Sequence, residues 1–388
     1  MTIQQNTNRI QTTHIGSMPR PHALLDVMKL KYSGQPYDQK AYDATLAKSV
    51  ADSIARQVQC GIDIVTDGEF SKPGFFTYIR ERLEGFEQRP GQKLAIFQKE
   101  VGAFPEYYAE YFKQAMMGGT ILPIHPVVCV GPIKYRGEKL VEVDIANIKA
   151  AAKAAGVPEQ HVFLPATAPA GVGINDYYKS EEEYFHAIAA ELAKEYRAII
   201  ASGILLQVDD PFLCDIFVDP ALDAAGMKRR AEIYVEATNV ALKGIAPEKV
   251  RFHTCYGINE GPRLYEAKLA EVLPYMLKVN AGSYSFEGAN PRHEHEYHLF
   301  EQTKLAPGKV ICPGMITHAS NIVEHPELIA ERILRYAQLV GRENVMAGAD
   351  CGFSSQALYK TEVHTTVVWE KFKALREGAD IASKKLWG

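Results

Sequence analysis

The chain reads as an α/β protein, a (β/α)8 barrel (TIM barrel) with a β-hairpin excursion between its second and third strands. Three observations predict this. Eight short apolar runs recur along the 388 residues, and amphipathic segments lie between most of them. No glycine-rich phosphate turn follows the first run, which disfavours a doubly wound open sheet.

The predicted strands are Gln11–Gly16, Ile62–Thr66, Val162–Ala166, Ile204–Asp209, Val250–Cys255, Ser283–Glu287, Lys309–Pro313 and Asn344–Gly348. Each is an apolar run bounded by turn signals. Between the first two, Leu46, Val50, Ile54 and Val58 recur every four residues on one helix face, and Gly61 stops that helix. Ser180 and Glu183 have capping-box spacing ahead of Phe185, Ile188, Leu192, Tyr196 and Ile199. Pro326 occupies a first-turn position before Leu328, Ile329, Ile333 and Leu334. Within the long second interval, Pro123–Val143 (PIHPVVCVGPIKYRGEKLVEV) reads as an extended hairpin with GPIKYRGE as its turn. No repeat, low-complexity tract or linker divides the chain. We therefore expect one unit over residues 1–388, with an insertion at about 85–150.

Composition excludes several function classes. With 47% apolar residues and a net charge of -4, the chain is ordinary globular material with length for a large core. Its mild acidity gives no electrostatic footprint for nucleic acid. No apolar stretch approaches the ~20 residues that span a membrane. The opening MTIQQNTNRIQ lacks the apolar core of a signal peptide. Cys60, Cys129, Cys214, Cys255, Cys312 and Cys351 contain no CxxC pair and fit a reducing, cytoplasmic location better than a disulfide framework.

The residues that carry chemistry fall where apolar runs end, which in such a barrel is the functional mouth. His253 and Cys255 (HTCYG), Glu287 (SYSFEG) and Cys351 (ADCGF) together compose a tetrahedral zinc shell. Taken singly, each has a blander reading: a lone Cys is a small buried hydrophobe and a lone His a packing residue. Two thiolates weaken zinc as an activator of water and suit it to holding a substrate thiol. His293, His295 and His298 in PRHEHEYH form a competing histidine cluster, but the first two point apart on a helix. Ile15, Gly16 and Ser17 end the first run, and Gly16 permits close backbone approach to a ligand. Asp67 and Glu69, in TDGEF, and Asp209 and Asp210, in QVDDP, are placed to hold a cationic amine or to balance the metal; the alternative is helix capping. His318, in ITHAS, is a proton-transfer candidate or an ordinary loop histidine.

In family order, TTHIGSMPRP, DGEF with YIRERLEGF, LLQVDDP, HTCYG, SYSFEG, CPGMITHAS and ADCGF resemble the C-terminal catalytic domain of cobalamin-independent methionine synthase, in its short single-domain form. The resemblance runs from residue 12 to 353. It implies an S-methyltransferase that passes a methyl group to homocysteine, giving methionine, through a zinc-bound thiolate. It implies Zn2+ on His253, Cys255, Glu287 and Cys351, and an amino-acid subsite at Ile15, Gly16 and Ser17. It implies Glu69 and Asp209 around the substrate ammonium, Asp209 also in the catalytic set, and His318 as proton donor. The local match at His318 is shifted by one residue. The methyl donor it implies is methyltetrahydrofolate or a corrinoid carrier. The sequence also departs from the family in that LPATAPAGVGINDYY lacks the tryptophan that stacks on the pterin, leaving Tyr177 or Tyr178 as substitutes. The family is also related to epoxyalkane:coenzyme M transferase, which opens an epoxide with a thiolate. Two carboxylates would repel that enzyme's sulfonate thiol and suit an ammonium instead.

Overall fold

The computed structural model describes residues 5–90, 92, 96–114, 120–122 and 124–388. Its strands are β1 (Leu83–Gln88), β2 (Val127–Tyr135), β3 (Phe163–Thr167), β4 (Ile174–Asn175), β5 (Leu205–Asp209), β6 (Val250–His253), β7 (Ser283–Phe286), β8 (Val310–Ile316) and β9 (Gly348–Ala349). Six of them form a curled parallel sheet in the order β3-β5-β6-β7-β8-β9. The first five of these lie on the third to seventh predicted runs, whereas β9 begins only at Gly348, the last residue of the eighth.

The first two runs do not form extended ladders. They contribute single parallel bridges: Thr12 to Ala347, Thr13 to Ile64, and Val65 to Val162. Side chains take over backbone partners there. The Gln57 amide donates to Thr66 O (2.9 Å) and accepts from Thr66 N (3.1 Å). The Thr12 hydroxyl donates to Gly61 O and the Thr13 hydroxyl to Ile64 O. Such local bonds compete with a ladder.

The excursion differs from the predicted hairpin. Gly131–Tyr135, read as the turn, lie inside β2, and the partner strand β1 precedes the segment. β2 pairs antiparallel with β1 from Leu83↔Tyr135 to Gln88↔Val127, and parallel with β4 on its other side. Pro132 cannot donate to a ladder. It is accommodated where the register shifts between Glu84 and Phe86. Gly85 sits in that bulge at φ +93°, and a Cβ there would lie 2.7 Å from Pro132 O. Pro123 is outside the described residues.

Helices cover the outer face of the large sheet. In the helix Gln39–Gln59, Leu46, Val50 and Ile54 are buried, whereas Val58 is 37% exposed as the helix runs out. The helix Pro326–Val340 has Pro326 in its first turn and buries Ile329 and Ile333. In the helix Glu181–Ala201, the Ser180 hydroxyl accepts from Glu183 N (3.1 Å). The return arm is displaced by one residue: Glu183 accepts from Lys179 N (3.2 Å) instead of Ser180 N. Ser180→Ala should therefore lower stability by ~1 kcal/mol, the typical value of one N-cap bond. A denaturant midpoint unchanged from wild type would show that the displaced arm suffices.

On the other side of the sheet, Ile64, Phe163, Leu205, Val310, Cys312 and Met346 form a separate apolar cluster. Beside it Arg251 lies over the Phe163 ring (4.0 Å). It donates to Gln207 Oε1 (2.5 Å), Thr13 Oγ1 (2.9 Å) and His14 O (2.7 Å). This polar layer sits directly beneath the strand ends at Asp209 and His253, so it fixes the floor of the site. Among the described residues, no helix is long and apolar enough to cross a membrane.

Candidate active site

His253 ends β6, Cys255 follows in the next turn, and Cys351 follows β9. The structure brings these three together, with ligand atoms all within 4.8 Å of one another. The two sulfurs are 3.1 Å apart, and Gly257 N donates to the Cys255 sulfur (3.4 Å). All three side chains are buried, and His253 Nδ1 has no hydrogen-bond partner. Burial, reinforced by Arg251, lowers the His253 pKa to about 3, so the ring is neutral. The contact with Cys351, then burial, pushes the Cys255 thiol up. A neutral imidazole with a free nitrogen beside two crowded sulfurs is a soft N,S,S donor set. It could hold a thiophilic cation such as zinc.

Glu287 stands outside that trio. It groups with His318 and Asp350. One carboxylate oxygen accepts from Arg263 Nη2 (2.9 Å) and Tyr256 N (3.1 Å), the other from Asn290 Nδ2 (2.9 Å). Burial alone would raise its pKa, but Arg263, His318 and His293 override this and hold it at about 2. His318 is fully buried, with Nε2 on Gly257 O (3.2 Å), and does not line the cavity beside the trio. Burial lowers its pKa to about 4.

That cavity, of about 200 Å³, is walled by Phe75, Phe76 and Phe212. It runs from His253, Cys255 and Cys351 to Ile15, Ser17, Glu69 and Asp209. Gly16 sits behind it at φ +144°, where a Cβ would come within 2.8 Å of Pro165 Cγ. Ile15 O accepts from the Gln207 amide, which also donates to Asp209 Oδ1 (2.7 Å). Glu69 is buried in the left-handed region (φ 58°), a strained position for a non-glycine residue. Asp67 supports it by accepting from Glu69 N (2.9 Å). Burial, then the nearby Glu69, pushes the Asp209 carboxyl well above the ordinary carboxylate range.

Sequence reading missed Lys72, Arg263 and the phenylalanine wall. Lys72 is buried, donates to Pro165 O (2.6 Å) and lies 3.4 Å from Glu69 Oε1. Its three-residue spacing from Glu69 in DGEFSK was a signal. Arg263 had only its three-residue spacing from Glu266, because Glu287, its other partner, comes from another loop. The histidine cluster does not converge. His293 is buried between Glu266 (2.9 Å) and Glu296 (2.7 Å), while His295 and His298 face solvent.

A family model described as the catalytic domain of cobalamin-independent synthase matches residues 10–103 and 167–370. The chain belongs to that family. The unmatched stretch between contains β2 and the helix Glu138–Ala154. This member of the cobalamin-independent synthase family is 23% identical over 383 residues to a methionine synthase of Thermococcus kodakarensis, covering 97% of this chain and 94% of that one. It is also 23% identical to 2-hydroxypropyl-CoM lyase of Xanthobacter autotrophicus, covering 100% and 98%. The structure of a B12-independent methionine synthase from Shewanella sp. W3-18-1 superposes with a TM-score of 0.74 at 22% identity, covering 97% of this chain and 99% of that one. It shares the fold. The chain is an enzyme of this synthase family.

Proposed function

We propose that this enzyme transfers a methyl group to the sulfur of homocysteine, with zinc held by His253, Cys255 and Cys351 and with Glu287 as an exchangeable fourth donor. The single observation that carries this reading is one cavity with two unlike ends: a soft N,S,S trio at one, and two buried carboxyl groups, Glu69 and Asp209, at the other. A thiol bearing an ammonium fits both ends at once. Bound zinc would lower the pKa of the substrate thiol so that thiolate is available at neutral pH. The protein's own groups do the rest. Glu69 and Asp209 grip the ammonium, the Ile15–Ser17 backbone meets the amino-acid end, and the phenylalanine wall excludes water and aims the methyl group in line with sulfur. Such orientation contributes roughly 7–11 kcal/mol in favourable cases. His318, tied to Gly257 O behind the trio, braces the loop that carries Cys255.

The same reading takes the curled sheet as a closed eight-position barrel in one unit. The bridges Thr12–Ala347, Thr13–Ile64 and Val65–Val162 support closure. All six cysteines are free, which suits a reducing cytoplasm.

The donor end also has a reading. Among the described residues, no tryptophan lines the cavity. Tyr177 is 49% exposed, the Tyr178 hydroxyl accepts from Ile133 N, and neither borders the site. Methyltetrahydrofolate alone should therefore be a poor donor, and a smaller donor or a methylated corrinoid carrier a good one. Methyl transfer to homocysteine should be assayed with each donor at matched concentration. Fast turnover on free methyltetrahydrofolate would overturn the donor assignment. Tighter binding of coenzyme M than of homocysteine would shift the whole reading to epoxide opening by a thiol.

A further inference from the structure

Arg263 occupies a backbone conformation that an arginine rarely adopts, at φ 57°. It is 4% exposed, so both the strain and the buried charge must be held by its surroundings. They are. Arg263 Nε donates to Glu266 (2.6 Å), and Nη2 donates to Glu287 (2.9 Å). Glu266 also accepts from His293 Nε2 (2.9 Å), and His293 Nδ1 donates to Glu296 (2.7 Å). The His293 ring stacks on Tyr256, centroids 3.9 Å apart, and Tyr256 N is itself a donor to Glu287. The guanidinium is thus fixed from behind by a chain of alternating charges, Glu296–His293–Glu266–Arg263, whose last link is Glu287. The PRHEHEYH segment, which reads in sequence as a competing metal cluster, supplies His293 and Glu296 to this chain.

We infer that Arg263 is a positioning residue that competes with the metal of the His253–Cys255–Cys351 trio for Glu287, so that this fourth donor yields readily to the incoming thiol. A carboxylate that accepts from Arg263, Asn290 and Tyr256 N already has three donors on its two oxygens. Moving it onto a cation forfeits part of a buried charge pair. Glu287 is therefore the donor that gives way, and the strength of the Arg263 grip sets how readily it does. This rests on the metal reading of the trio. It adds that the metal and a guanidinium compete for one carboxylate.

The test uses the full-length protein, with zinc affinity measured by competition against a chromophoric chelator. Arg263→Gln should tighten zinc binding at least tenfold. Zinc-edge absorption should show a shorter, better ordered oxygen neighbour, and homocysteine binding should weaken about tenfold. The gain in zinc affinity should vanish in the Arg263→Gln/Glu287→Gln double variant, because simple removal of a nearby positive charge would persist there. Arg263→Lys should restore most of the wild-type behaviour. In the wild-type background, Glu287→Gln should change zinc affinity less than threefold, a readout that stands even if Arg263→Gln does not fold. Unchanged or weaker zinc binding in folded Arg263→Gln would overturn the inference. So would a gain that survives in the double variant, or a tenfold loss in Glu287→Gln. Failure of the metal reading itself is separately visible, as wild-type protein that binds no zinc or whose zinc is indifferent to Cys351.

Discussion

Cys351→Ser is expected to leave the protein nearly free of zinc. The wild type should purify with about one zinc per chain and two protein sulfurs in its shell. A serine hydroxyl is not ionised at neutral pH and is a poor partner for a thiophilic ion. The loss in affinity should exceed the roughly 10–100-fold typical of removing an outer partner. Cys255→Ser should behave alike, since the two sulfurs, 3.1 Å apart, face the same point. Metal analysis and circular dichroism on the same samples provide the check. Full zinc occupancy in both folded variants would refute the assignment of the trio.

The second large effect is at the other end of the cavity. Glu69→Gln should weaken homocysteine binding by about 2–5 kcal/mol, as when one partner of a buried charge pair is removed. Zinc content should be unchanged. The amine-free analogue 4-mercaptobutanoate separates causes, because it should bind the variant no worse than it binds wild type. The pH dependence follows from Asp209, whose pKa burial and Glu69 hold well above the ordinary range. Replacing the Glu69 charge should bring that pKa down, so Asp209 releases its proton at lower pH in the variant. Calorimetry in two buffers of different ionisation enthalpy would show this as fewer protons released on binding at neutral pH. Equal homocysteine affinity in wild type and variant would remove the ammonium from the model of substrate binding.

What was legible in the sequence is uneven, and the reasons are physical. Runs buried on both faces, such as Leu205–Asp209 and Ser283–Phe286, announce themselves as short apolar stretches, and the structure places strands there. The first two runs look the same, yet their backbones are satisfied by Gln57, Thr12 and Thr13 side chains, which a pattern of apolar residues does not reveal. The excursion misled because Gly-Pro usually signals a turn, whereas here both residues lie in a strand opposite a bulge at Gly85. For the site, residues at strand ends were readable one by one: His253, Cys255 and Cys351 do meet, and Glu69 and Asp209 share a cavity. The attachment of Glu287 to Arg263 was not readable, since a loop arginine carries no periodic signal.

The seam of the curled sheet has a consequence for how this enzyme comes into being. Thr12 bridges Ala347, Asn6 Nδ2 bonds Val345 O, and Ile10 N bonds the Ser383 hydroxyl. The cavity straddles that seam, with Ile15 and Ser17 on one side and Cys351 on the other. More than three hundred residues of chain separate the two edges, so their meeting carries a large loop-closure entropy and belongs late in folding. During synthesis the early segment must wait, unpaired on that edge, until the segment that carries Ala347 has emerged. The site is thereby assembled only once Cys351 has been made: no nascent product that stops short of it holds both sides of the cavity.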